Sequence, residues 1–189
     1  MSVERGFQRL MRHSHLLRAA MNLAADRSLH LQQTIEELGL DMTTLFEGDN
    51  LQVLQVHTAR ELGGVEARML LDAPREIMKY HFGPLQVALS LLYAVIERYR
   101  QLSREQPLFQ DDLFDEYCTA NAPFIDRLEI ARNSILYEGY GDHAQAQQDF
   151  VAQFRFSEEA ALEGRLIAGE QAYRDYLRRL TDTLKAAGS

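Results

Sequence analysis

The sequence predicts an all-α fold, a helical bundle, and three observations carry that prediction. Leu, Ala, Glu, Gln and Arg are prominent, all good helix formers, while strand-favouring residues are thin. Only four prolines and eleven glycines punctuate the 189 residues. Apolar positions recur at helical spacing along most of the chain. At 46% hydrophobic and 25% charged residues the composition is that of a folded chain. The length suits one domain with a sizeable core. No internal repeat or low-complexity linker divides it. A single helical domain over 1–189 is therefore expected, with an N-terminal helical hairpin at 1–40 and the bundle core at 74–189.

The elements follow in order. From Val3 onward Phe7, Leu10, Leu17 and Met21 share one side of a helix, and Arg5, Arg9 and Arg12 gather on the opposite side. Leu16 and Leu23 project on the basic side, so the later part of this helix is expected to be covered on two sides. LHLQQTIEEL at 29–38 continues as helix and stops at Gly39, a C′ glycine in left-handed conformation. Between Asp41 and Ala73, Gly48, Asp49, Asn50, Gly63 and Gly64 favour short helices. LQVLQVH at 51–57 alternates as a strand would, but a lone strand leaves its backbone groups unpaired. Helix is the favoured reading there and strand the alternative.

The strongest periodic segment runs from Pro84 to Leu102, with Leu85, Ala88, Leu89, Leu92, Ile96 and Tyr99 on one face and Pro84 suited to the first turn. Pro107 lies in the next connection, and Asp111 with Asp112 favours a new helix start. Leu113, Tyr117, Phe124, Leu128, Ala131 and Ile135 give its expected buried side. Pro123 either kinks this element or divides it, and division with a start near Asn121 is favoured. It ends at Gly139, Tyr140 and Gly141, and His143 to Phe154 forms a further helical piece. The last helix takes Ser157 as N-cap and carries Leu162, Leu166, Tyr173, Leu177, Leu180 and Leu184.

A formal charge of −8 opposes non-specific attachment to nucleic acid or anionic membranes over most of the surface. The exception is the first thirty residues, where five arginines face only Glu4 and Asp26. The single cysteine, Cys118, allows no internal disulfide and sits among apolar neighbours as a small buried hydrophobe. Arg5, Arg9, Arg12 and Arg18 interrupt any N-terminal signal stretch, and no run reaches the roughly 18 apolar residues of a membrane span. A cytoplasmic protein without membrane contact is the expectation.

Residues 124–140, FIDRLEIARNSILYEGY, place Arg132 and Asn133 near the end of a helix, followed by Tyr137, Gly139 and Tyr140. With the preceding LLYAVIERYRQL helix, this segment resembles the HEPN superfamily, small helical bundles marked by Arg-Asn and a histidine several residues on. The resemblance covers roughly 79–155. It implies a metal-independent ribonuclease assembled from two subunits, in the setting of bacterial toxins or phage defence. Carried over, Arg132 stabilises the phosphate and Asn133 is its polar companion. Tyr137 stands where the family has histidine, and a phenol of pKa ~10 is a poor general base at neutral pH. His143 reaches the motif only if the glycine-flanked loop folds back.

Each candidate also has a purely structural reading. Arg132 projects near Leu128 and Ile135, where it would pair with Glu97 or Glu129 and hold helices in register. Asn133 and Tyr137, four apart, would make a local contact near the helix end. Arg5, Arg9 and Arg12 would be a solvated face, or else accessory contacts to RNA or a partner, together with Tyr140 and His143. His13 and His15 point apart on a helix and cannot share a metal, and His57 and His81 have no ligand-spaced neighbour. No di-iron pair, phosphate loop or G-x-S-x-G occurs, so neither metal nor cofactor is expected. The favoured expectation is a non-catalytic interaction module on a HEPN-like scaffold, binding a protein partner or a second copy of itself. The alternatives are a ribonuclease using Arg132 with Tyr137 or another acid/base group, and an acidic inhibitor that masks a nucleic-acid site on another protein.

Overall fold

The computed structural model describes residues 2–41, 44–45, 48–72, 75–136 and 159–187. Every regular element among them is helical: α1 (Val3–Leu38), α2 (Asn50–Leu62), α3 (Gly64–Asp72), α4 (Arg75–Glu105), α5 (Asp112–Ala120), α6 (Ala122–Leu136), α7 (Glu159–Ala187) and a 3-10 turn at Pro107–Phe109. The chain forms two compact units, one of Met1–Ala19 with Gln86–Ser189 and one of Ala20–Leu85. Helices α1 and α4 each contribute a segment to both.

Two expectations about helix boundaries are corrected. The N-terminal hairpin is instead one unbroken helix of 36 residues. Nothing between Gly6 and Gly39 supplies a glycine or proline, so no residue there favours a turn. The strongest periodic helix begins nine residues before Pro84, at Arg75, and encloses the proline. Pro84 has no N–H to offer the Tyr80 carbonyl, a loss the flanking turns tolerate. Gly39 behaves as expected: with φ of 63° it closes α1, and the Gly39 and Leu40 N–H groups donate to the Glu36 and Ile35 carbonyls at 3.1 and 3.0 Å. That is the Schellman arrangement.

In the larger unit, Leu92, Val95, Ile96, Tyr99 and Leu102 of α4 are buried with Leu10 and Leu17 of α1, Phe124 and Leu128 of α6, and Leu166, Tyr173 and Tyr176 of α7. Tyr99, Phe114 and Tyr176 form an aromatic knot, with ring centroids 4.8–5.4 Å apart. The Tyr173 hydroxyl donates to the Leu10 carbonyl at 3.0 Å, tying α7 to α1. The Tyr176 hydroxyl is buried without a partner. Asp111 caps α5, accepting the Phe114 N–H at 2.8 Å, and Arg179 of α7 grips both its oxygens at 2.7 Å. This cap sets the phase of α5, which buries Phe114 and Cys118 while Leu113 is 59% exposed, against the expectation for Leu113. Division at Pro123 is observed, with Asn121 between α5 and α6. Gly169 lets α7 approach α4, because a Cβ there would lie 2.7 Å from a Leu92 methyl.

In the smaller unit, LQVLQVH belongs to α2, whose buried residues Leu54, Gln55, Thr58 and Ala59 follow helical rather than alternating spacing. Gly63 and Gly64, with φ of 65° and 62°, form the turn into α3, and the Gln55 amide donates to the Leu70 carbonyl across that pair. Leu31, Ile35, Ile77 and Phe82 join this core. Leu16 and Leu23 of α1 are 47% and 49% exposed, so the expected second covering is not found at either.

Candidate anion-binding cleft

Arg132 occupies the last turns of α6, four residues beyond the buried Leu128, so helical geometry turns it inward as expected. The expected carboxylate does not receive it. Its guanidinium lies over the Tyr93 ring, 5.1 Å from the centroid, and its Nε is buried without a hydrogen-bond partner. Among the described residues no ion pair joins it to Glu97 or Glu129, and Glu97 pairs with Arg100 at 3.2 Å instead. Burial and then the Glu97 and Glu129 charges push the Tyr93 phenol above its usual range, leaving a neutral ring beneath the cation.

The Arg132 side chain lines a cavity of about 630 Å³ with His13 of α1 and with Glu97, Arg98, Arg100, Gln101, Arg104 and Glu105 of α4. Four guanidinium groups therefore share one cleft with two carboxylates. Both carboxylates are engaged along α4: Glu97 by Arg100, and Glu105 by the Gln101 amide at 2.9 Å. Arg98 donates to Gln101. His13 is the only imidazole among the cleft residues. Burial first, then the charges of Arg98, Arg12 and Arg9, hold it below the ordinary histidine value, so it is neutral at neutral pH. That coupling places the basic face of α1 beside the cleft. Arg5, Arg9 and Arg12 are all exposed, and no ion pair engages their guanidinium groups among the described residues.

The structure thus brings Arg132 together with His13, whose helix also carries Arg9 and Arg12. Asn133 lies on α6. Tyr137, Tyr140 and His143, like Ser157 and the helical piece at 143–154, fall outside the described residues. Sequence reasoning missed His13, Arg98, Arg100 and Arg104. The signal was the polar side of the ERYRQLSRE stretch, where Glu97, Arg98, Gln101, Arg104 and Glu105 recur at helical spacing opposite the apolar face.

Three other histidines, His30, His57 and His81, lie in the smaller unit, and His15 is exposed on α1. His30 Nε2 lies 3.4 Å from Glu61, and His57 Nδ1 lies 4.0 Å from the same carboxylate. His57 therefore has a ligand-spaced neighbour four residues on, which the sequence reading overlooked. His81 is buried, stacks on His30 at 6.0 Å and touches Thr58 at 3.4 Å. Burial, then His30 and Arg27, lower its pKa to about 4. Among the described residues no group of three ligands is arranged to hold a metal ion, and no helix is long and apolar enough to cross a membrane. No protein family, curated protein or solved structure matches the chain.

Proposed function

We propose that the protein is a non-catalytic interaction module, HEPN-like in its 79–155 segment, that grips an acidic segment of a partner protein in the arginine cleft. The observation that carries this reading is Arg132: an inward-facing cation, stacked on Tyr93, with an unused Nε and no carboxylate partner among the described residues, beside three more arginines. Guanidinium groups hold carboxylates through paired, charge-assisted hydrogen bonds. Arg5, Arg9 and Arg12 extend the positive surface along α1, and the exposed Leu16 adds an apolar contact to that row. An acidic segment is favoured over RNA because no Phe or Tyr ring among the described residues is exposed for bases to stack on. Tyr137 in place of a histidine also argues against strand cleavage. The resemblance sets this role in bacterial toxin or phage-conflict systems, and the buried Cys118 suits a cytoplasmic, reducing compartment.

A ribonuclease is the second reading, favoured by one observation: His13 shares the Arg132 cavity and is an unprotonated base. The test is binding of a fluorescent oligoglutamate peptide and of a single-stranded RNA, with RNA cleavage assayed without metal, for wild type and Arg132→Ala. The proposal expects peptide binding that weakens about tenfold in Arg132→Ala and no cleavage. RNA cleavage that disappears in Arg132→Ala would replace it with the enzyme reading, and equal peptide binding by both proteins would remove the cleft from either.

A further inference from the structure

We propose that His13 is the proton-linked contact of the arginine cleft: an anion seated there draws a proton onto the His13 ring, and the anion is held more tightly as the pH falls. This rests on the anion-binding reading above. The geometry comes first. His13 projects from α1 into the cavity that α4 and α6 supply with arginines, and its Nδ1 is buried without a hydrogen-bond partner, so no protein acceptor holds that nitrogen.

Burial is the first cause that keeps the ring neutral, and the charges facing it are the second. From its own helix come Arg9 and Arg12, and from α4 comes Arg98, all opposing protonation. Arg104 and, across the cavity, Arg132 of α6 add to the positive surroundings. The two carboxylates present, Glu97 and Glu105, are already occupied by Arg100 and Gln101. An empty cleft therefore keeps His13 neutral. An anion offsets the guanidinium charges and removes the main electrostatic objection to an imidazolium, so the ring gains basicity on binding. Linkage is reciprocal: whatever factor the anion adds to proton affinity, the proton adds to anion affinity. For charges some 6 Å apart in a partly wet cleft, that factor is about three- to tenfold.

The experiment follows the His13 resonance in the full chain, assigned by its absence in His13→Gln, with and without the oligoglutamate peptide. Peptide affinity is measured in parallel at about pH 7.5 and about pH 5.5, a range in which glutamates stay ionised and histidine titrates. In wild type the peptide should raise the His13 midpoint, and affinity should increase about three- to tenfold toward the acidic end. In His13→Gln the ratio between the two pH values should be close to one. A midpoint unmoved by bound peptide, or the same acid gain in His13→Gln, overturns the proposal while leaving the cleft as a binding site. No binding to wild type at either pH overturns the cleft reading and this proposal with it.

Discussion

Gly164 and Gly169 lie five residues apart in α7 and have opposite surroundings, so alanine at each separates helix propensity from packing. Replacing glycine by alanine inside a helix stabilises it by about 0.5–1 kcal/mol when nothing opposes the new methyl. Gly164 is exposed, and no atom lies within 4 Å of where its Cβ would sit. Gly164→Ala should therefore gain the whole increment. At Gly169 the same methyl would lie 2.7 Å from one Leu92 methyl, 3.1 Å from the other and 2.9 Å from the Tyr117 hydroxyl. Leu92 is fully buried, so neither methyl swings away into solvent. Overpacking of this kind costs about 1–3 kcal/mol, leaving Gly169→Ala destabilised by about 0–2 kcal/mol. Because propensity cancels between the two variants, their difference should be about 1–3 kcal/mol. Urea unfolding of the full chain, followed by the near-ultraviolet signal of the buried tyrosines, measures it. If the two variants are stabilised equally, α7 does not press on Leu92 and the account of this contact is wrong. A Leu92→Ala background should restore part of the gain at Gly169 in a double-mutant cycle, the Tyr117 hydroxyl still standing 2.9 Å from the new methyl.

Further outcomes follow from the same core. Tyr176→Phe should raise stability by up to about 1 kcal/mol, since it removes a buried hydroxyl without a partner, whereas Tyr173→Phe should lose about 1 kcal/mol with its bond to Leu10. Paired melting curves showing the same sign for both would contradict the hydrogen-bond assignment. Asp111→Ala removes the α5 cap and both Arg179 bonds, and should cost about 2–3 kcal/mol in chemical denaturation. Burial alone would raise the Asp111 pKa, but the Arg179 and backbone hydrogen bonds carry it below the usual 3.8. Its stabilisation is thus present above that value and lost as pH falls through the lower folded one. His81 has the opposite chemistry. Buried neutral with a pKa near 4, it makes unfolding take up a proton below the ordinary value of 6.5. Stability should fall by up to about 3 kcal/mol between those pH values. A pH series on His81→Gln that keeps the same slope would assign the loss elsewhere.

Much of the helical pattern was legible because local chemistry specified it. Gly39 closes α1 by its left-handed φ, Asp111 starts α5, and Pro123 divides α5 from α6, each a short-range signal read from a few residues. Pro84 misled because a proline fits a first turn better than an interior, yet α4 buries Ile77 and Phe82 on one side of it and Leu85 on the other. Burial on both sides outweighed the lost backbone bond. The hairpin failed because the helical signal is continuous through Asp26, Arg27 and Ser28, with no glycine or proline there to turn the chain. The cleft was legible in one residue, Arg132. Its companions come from two other helices, His13 from α1 and the arginines from the end of α4, and no local pattern shows that these helices meet α6.

The burial of Cys118 has a practical consequence for anyone who handles this protein. Its surroundings raise the thiol to about 11, chiefly through desolvation. At neutral pH the thiolate is then a fraction of about one in ten thousand. Native chains should resist alkylation and cross-linking in air, and labelling should proceed only as fast as α5 comes away from the core. The one sulfhydryl of the chain is in effect a clock, reporting by mass increase how often this helix opens under conditions where no spectroscopic change is visible.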